Sequence, residues 1–349
     1  MVLGIQNNSL FMKSLSIFIF VLSVIVNCNE TDSQNLGSNL KPINSFGNDQ
    51  NGLPLGGPWH MIGDSNYIYV SDIAYSSIFK YSYLGEHLSN FGSPGKPGVG
   101  PGEIANQTTI DVDENWLYVF DNSNLRLTLF DLHSNDSKVS LNKHSLVEFA
   151  VLDSTIFAFS PKTLAEPVDD NDQNLIKTFT IEGIQTQSFG KYLNSTEGMF
   201  AGLSLPDIEV DNNYIYVLFR YFPLLRVYSL DGKLLLQADI TKPNQTELIK
   251  GNLNQRNFVK KQNYTFNFVN RGLFVVADRL FITKQERFVV IDEYKLTSDS
   301  LIYVTTFTYD GNLTDDYFVI DFFYREKSNS FFLLEKNDDF KVTEYEVIK

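Results

Sequence analysis

The chain has 349 residues, a formal charge of −14 and a hydrophobic content of 43%. So acidic a protein is badly matched to nucleic-acid phosphates or to an anionic membrane surface, and so apolar a one is not globally disordered. Its 29 Phe and 18 Tyr, with many Val, Ile and Thr, favour strands over helices.

At the N-terminal end, Lys13 precedes an apolar run from Leu15 to Val26. Twelve helical residues reach about 18 Å, too short for a ~30 Å bilayer core but suited to the apolar region of a secretory signal peptide. Residues 1–27 are expected to be that signal. Cys28 follows at once and is the single cysteine, so an internal disulfide is ruled out. Ile25-Val26-Asn27-Cys28 resembles a bacterial lipobox of the looser kind found in spirochaete lipoproteins. The resemblance implies cleavage before Cys28, diacylation of its thiol, and a protein exported to the bacterial cell envelope and held on a membrane by lipid. Residues 28–40 are polar and free of aromatics, as a flexible tether would be. The eight N-x-S/T sequons are read as chance in an Asn-rich chain.

From Lys41 to Lys349 the chain repeats. Tyr67–Asp72 (YIYVSD), Trp116–Asp121 (WLYVFD) and Tyr214–Phe219 (YIYVLF) start 49 and then 98 residues apart, one and two multiples of a period. Without gaps, that alignment places Tyr81, Phe130 and Tyr228 in register. Three further triplets, Ser45-Phe46-Gly47, Asn90-Phe91-Gly92 and Ser188-Phe189-Gly190, keep nearly the same spacing. Apolar and polar residues alternate within each run, and Asp131, Asp231-Gly232 and Asp310-Gly311 supply turn residues between strands. Weaker units cover Glu148–Ile181, Phe268–Phe307 and Phe318–Val347. About six units of 49–52 residues fit, and the expected fold is an all-β, six-bladed β-propeller of four-stranded antiparallel blades spanning residues 41–349. The chain opens with one outer strand and its last unit has only three. Ile43–Phe46 should therefore complete the final blade beside Val342–Val347, because an open ring would expose sheet edges.

Phe91–Ile104 (FGSPGKPGVGPGEI), Ile110–Asp113, Leu117–Asp121 and Asn124–Asp131 (NLRLTLFD) resemble repeats of the NHL type, with Ile104 where the pattern has Phe. The resemblance is good in the first two units, fair over Asp207–Gly232, and fades after Asn244. It implies a six-bladed ring in which Arg126 and Arg226 are structural, each lying along its sheet and pairing with an acid.

Residues that carry chemistry are sparse. Gly95–Gly102 is glycine-rich, yet no helix follows to complete a phosphate site, so it reads as an inter-blade loop. Of four histidines, His87 and His133 fall in outer turns. His60 lies at the start of an inner strand, where a surface or core contact is expected ahead of a channel role. Asp111/Asp113 and Glu209/Asp211 flank strand-to-strand turns and read as turn residues. Tyr221-Phe222-Pro223 is an aromatic turn, either a partner surface or packing against the next blade. No nucleophile elbow, zinc spacing or calcium loop is present. No catalytic, cofactor or metal residue is therefore assigned, and Cys28 is the one site residue. The expected function is a monomeric, lipid-anchored binding platform for a protein, peptide or glycan. The alternative is a calcium-dependent hydrolase or lyase in the central channel. Six-bladed lactonases of the gluconolactonase and paraoxonase type hold calcium there, on acids from separate blades.

Overall fold

The computed structural model describes residues 38–48, 54–134, 136–161, 174–195, 198–199, 204–242, 268–284, 286, 288–311 and 313–348. The expected signal 1–27, the lipidation site Cys28 and most of the tether lie outside these residues. The first strand, β1 (Ser38–Phe46), begins within the last three positions of the expected tether.

Four antiparallel meanders of four strands follow one another. The first contains β2 (Pro58–Gly63), β3 (Tyr67–Asp72), β4 (Ser77–Ser82) and β5 (His87–Gly92). Next come β6 (Gln107–Val112), β7 (Trp116–Asp121), β8 (Arg126–Asp131) and β9 (Ser137–Asn142), then β10 (Glu148–Leu152), β11 (Thr155–Phe159), β12 (Asn174–Thr180) and β13 (Gln185–Lys191). A small hairpin, β14 (Asn194–Ser195) with β15 (Gly198–Met199), leads to β16 (Pro206–Val210), β17 (Tyr214–Phe219), β18 (Leu224–Ser229) and β19 (Leu234–Asp239). The remaining strands are β20 (Asn270–Val276), β21 (Arg279–Lys284), β22 (Val289–Leu296), β23 (Leu301–Tyr309), β24 (Phe318–Arg325), β25 (Ser330–Asn337) and β26 (Asp339–Ile348). With β1 they form one eight-stranded sheet ordered β20-β21-β22-β23-β1-β26-β25-β24.

The all-β propeller arrangement is as expected, but six separate sheets are not what forms: four sheets of four strands accompany one of eight. The cause is β1, which is bonded on both edges. It runs antiparallel to β26 from Asn39↔Ile348 to Phe46↔Val342. It also runs parallel to β23 at Ser38↔Phe307 and Asn39↔Thr308. The antiparallel pairing is the closure the unit order implied. The parallel contact starts at residues upstream of the Lys41 boundary, so nothing in the repeat pattern signalled it.

Side-chain burial follows distance from the axis. Second strands are sandwiched on both faces, and Ile68, Tyr69, Val70, Leu117, Tyr118 and Ile215 are fully buried. Fourth strands keep one face in solvent, which is why Leu88, Val139, Leu234 and Leu235 are exposed there. The β-branched and aromatic residues of the second strands suit this pleated, two-sided environment.

The aromatic landmarks of the repeat touch one another across successive units. Phe46 meets Tyr81 with ring centroids 5.1 Å apart, Phe91 meets Phe130 at 5.6 Å and Phe189 meets Tyr228 at 5.3 Å. Each outer-strand Phe thus plugs against the third strand of the next unit. In two of these joints a turn glycine caps the ring. A Cβ on Gly85, at φ +86°, would lie 2.7 Å from the Phe46 ring, and one on Gly232, at φ +83°, would lie 2.6 Å from Phe189. Hairpin acids form a second repeated device. Asp64 accepts from the Asn66 and Tyr67 amides and from the Tyr69 hydroxyl. Asp113 does the same with Asn115, Trp116 and Tyr118, and Asp211 with Asn213, Tyr214 and Tyr216. Each acid closes its turn and satisfies a buried phenol.

Alanine at Gly85 or Gly232 combines left-handed backbone strain of ~1–2 kcal/mol with overpacking of ~1–3 kcal/mol. Urea melts of Gly85→Ala and Gly232→Ala should show a loss of ~2–5 kcal/mol with unchanged m-value. A loss below ~0.5 kcal/mol at both positions would contradict the interlock.

Candidate functional site

Every inner strand runs the same way along the axis, starting where the chain arrives from the preceding unit. Side chains near those starts therefore meet around the axis, although the chain brings them from distant positions. The result is a central cavity of about 1350 Å³. Its lining is mixed: Trp59, Phe268, Phe274, Phe318, Ile320 and Phe323 are apolar, and His60, Glu148, Asp207, Glu209, Arg220, Arg271 and Asp321 carry polar or charged groups.

Arg220 organises the charged groups. It sits in the turn after β17, its amide donating to the Leu205 carbonyl while its own carbonyl accepts from the Val269 and Asn270 amides. So held, its guanidinium reaches the axis. Nε donates to Asp207 Oδ1 at 2.6 Å and Nη2 to Glu148 Oε2 at 2.7 Å. Asp207 and Glu148 are 8% and 5% exposed. Burial raises the carboxyl of Glu148 to about 8 and that of Asp207 to about 6, with Arg220 pulling both down. Asp207 Oδ2 is buried without a hydrogen-bond partner. Arg271 rests on the rings of Phe268 (4.4 Å) and Phe318 (5.8 Å). Burial, with the nearby Arg220 charge, lowers it to about 10.

Two acids stitch neighbouring inner strands together. Asp111 accepts from its neighbour Val112 (2.7 Å) and from Val151 of β10 (2.6 Å). Asp321 accepts from Phe322 (2.8 Å) and from Met61 of β2 (2.7 Å). Burial raises Asp111 to about 7, against these two amide bonds. Glu209 precedes Asp211 by two residues just as Asp111 precedes Asp113, yet no hydrogen bond reaches its carboxylate among the described residues. The groups acting on it most strongly after desolvation are Asp111, Asp321, Glu148 and Asp207, all acids, and its affinity for a proton is well raised. His60 Nδ1 stands 3.6 Å from Asp321 Oδ2. Burial lowers its pKa, with Asp321 opposing, so the ring is neutral at neutral pH.

Several sequence expectations change here. His60 lies in the cavity wall, not in a surface or core contact. Asp113 and Asp211 are turn residues as expected, whereas Asp111 and Glu209 belong to the inner strands and the axial acid group. Arg126 is structural, donating to the Val99, Gly100 and Glu103 carbonyls and so clamping the glycine-rich loop, with Asp121 3.9 Å away. Arg226 is structural too, but bonds Gln237 and the Lys191 carbonyl instead of an acid. Phe222 is buried and Tyr221 stacks on Phe268 at 5.1 Å, so that turn packs against the next unit. Asp310-Gly311 joins two units instead of closing a hairpin. Among the described residues no three His, Cys, Asp or Glu are grouped so as to hold a metal ion. The axial acids are instead engaged by amides and by Arg220, apart from Glu209.

No protein-family model matches the chain, and no curated protein matches it. Solved structures do resemble it. A Bacteroides fragilis protein described as exported superposes with a TM-score of 0.59 at 12% identity, over 91% of this chain and 98% of that one. A DUF4221-family member from Bacteroides vulgatus gives 0.57 at 10% identity, over 91% of this chain and 100% of that one. The WD40 repeats of RRP9 give 0.53 at 9% identity, over 89% and 100%. At these identities the likeness is one of fold.

A carboxyl whose folded-state pKa is raised holds a proton that the unfolded chain has already released. Its contribution to stability is therefore lost as pH rises from the unfolded value near 4 through the folded one. His60, lowered in the fold, acts in the opposite sense below pH ~6.5. The four raised acids outweigh it, so thermal stability should fall between pH 5 and pH 8. Glu209→Gln should melt higher than the native chain at pH 8, with a smaller difference at pH 5. Equal melting of the two proteins at pH 8 would show that Glu209 is not desolvated among like charges.

Proposed function

We propose that this is an exported, lipid-anchored propeller that binds a ligand in its central cavity without transforming it. The observation that carries this reading is the cavity itself: about 1350 Å³, lined by both apolar and charged side chains. Its acids and arginines hold one another in fixed positions, which is the preorganisation a binding site needs. The volume suits a small molecule, or the end of a peptide or glycan chain reaching in along the axis.

Export is supported by the apolar run before Cys28 and by the likeness in fold to a Bacteroides protein described as exported. In this reading Cys28 carries the lipid, and the chain is a monomer in a bacterial cell envelope. The eight-stranded sheet counts as two blades, six in all. Six apolar clusters support that count. One fills each gap between successive four-strand units, including the gap between β20–β23 and β24–β26. The glycine-rich loop held by Arg126 supports an NHL-like second unit.

Two experiments test this reading. Cys28→Ala should abolish metabolic labelling by fatty acid and release the protein in soluble form; persistent labelling would rule out the anchor. A panel of small amines, carboxylates, sugars and short peptides should include compounds that raise the melting temperature by mass action. Those shifts should vanish in Ile320→Trp, which adds bulk to the cavity lining. A panel in which every shift survives that substitution would place binding elsewhere.

A further inference from the structure

The cavity's charges do not balance. Seven acids line it, among them Glu148, Asp207, Glu209 and Asp321, against two guanidiniums, those of Arg220 and Arg271, and Asp111 is near enough to act on Glu209. Arg220 is committed to Glu148 and Asp207. Arg271 lies over the Phe268 and Phe318 rings. Asp111 and Asp321 accept backbone amides, which are neutral donors, and Asp321 also lies within the field of Arg220. Glu209 accepts no hydrogen bond among the described residues, and the charged groups that act on it most strongly are Asp111, Asp321, Glu148 and Asp207.

A second, independent observation comes from Asp207. The residue is 8% exposed and lines the cavity, and while Oδ1 accepts from Arg220, Oδ2 has no hydrogen-bond partner among the described residues. A buried carboxylate oxygen left unbonded is costly and is normally satisfied by a donor. A partner that donates protons would satisfy Oδ2, and one that also carries positive charge would relieve the acids that crowd Glu209. Among the described residues no three His, Cys, Asp or Glu are grouped to hold a metal ion, which favours a larger, organic donor. The aromatic and aliphatic side chains of the lining, among them Phe274, Ile320 and Phe323, would receive an apolar body. Ring faces near an ammonium ion add to its attraction.

We propose that the cavity binds a small organic cation, a protonated amine on an apolar stem, with the ammonium group held by Glu209 and Asp207 and the stem against the apolar side chains of the lining. This rests on the reading of the cavity as a ligand site and names the class of ligand.

The test uses three probes of one shape: benzylamine, benzyl alcohol and phenylacetate, titrated calorimetrically into the intact protein at pH 8. Benzylamine should bind at least about tenfold more tightly than the alcohol, a difference of ~1.4 kcal/mol, and phenylacetate should not bind. Glu209→Gln, which keeps the shape and removes the charge, should weaken benzylamine about tenfold while leaving the fold intact by circular dichroism. Ile320→Trp should abolish its binding. A blocked peptide, acetyl-Gly-Lys-Gly-amide, separates the sources of the same chemistry: tighter binding than benzylamine points to a lysine side chain, weaker binding to a free amine.

If alcohol or phenylacetate binds as well as benzylamine and Ile320→Trp abolishes it, the cavity serves another class of ligand. The amine assignment is then wrong while the binding function stands. Benzylamine binding that survives both substitutions also overturns the assignment, as does the absence of binding at about 10 mM.

Discussion

The whole arrangement depends on one strand pairing. β1 comes from the start of the described residues, and β26 ends at their other extreme. Seven residue pairs join them between Asn39↔Ile348 and Phe46↔Val342. Without β1 the sheet containing β24, β25 and β26 would present an open edge, and Phe46 would be missing from the joint under Gly85. Apart from contacts between the first and last units, such as Met61 with Asp321, the contacts between units join neighbours in the chain. The β1–β26 pairing spans nearly the full sequence, so the loop-closure entropy of the ring is concentrated in it.

Closure is also what makes a cavity. An open stack of sheets has no axis, whereas a closed one brings the start of every inner strand to a common centre. Met61 and Asp321, 260 residues apart, are joined there by a 2.7 Å hydrogen bond, and Val151 and Asp111 by one of 2.6 Å. Rigidity follows from the same bonds, since each acid that accepts from the next inner strand fixes the distance between two units. The acids at the axis are then held in fixed positions.

The fold was legible in the sequence because its signals are local and recur. The spacing of YIYVSD, WLYVFD and YIYVLF marks the second strands, and the aligned Tyr81, Phe130 and Tyr228 turn out to be the partners of Phe46, Phe91 and Phe189. The missing fourth strand at the C-terminal end disclosed β1 and its pairing. What escaped was the merging of two units through Ser38 and Asn39, since a two-residue parallel contact leaves no periodic trace.

The site was much less legible. Its residues arrive from different units, so no motif contains two groups that act on each other. Asp111 and Asp113 look alike in sequence, and only the hairpin geometry sends one to the axis and the other to a turn. A signal was present nevertheless. Counting back two residues from each hairpin acid along an alternating strand reaches Asp111 and Glu209, on the edge that faces the axis. His60 carried the same hint from its place at the start of an inner strand.

The closure of the ring is tested most directly by native-state hydrogen exchange on β1. The account predicts that the amides of Asn39 to Phe46 bonded to β26 exchange only with global unfolding, at the same free energy as the slowest amides of β3 and β17. Exchange of β1 through a low-energy local opening, while β3 and β17 stay protected, would show that the ring stands without it and would contradict the account.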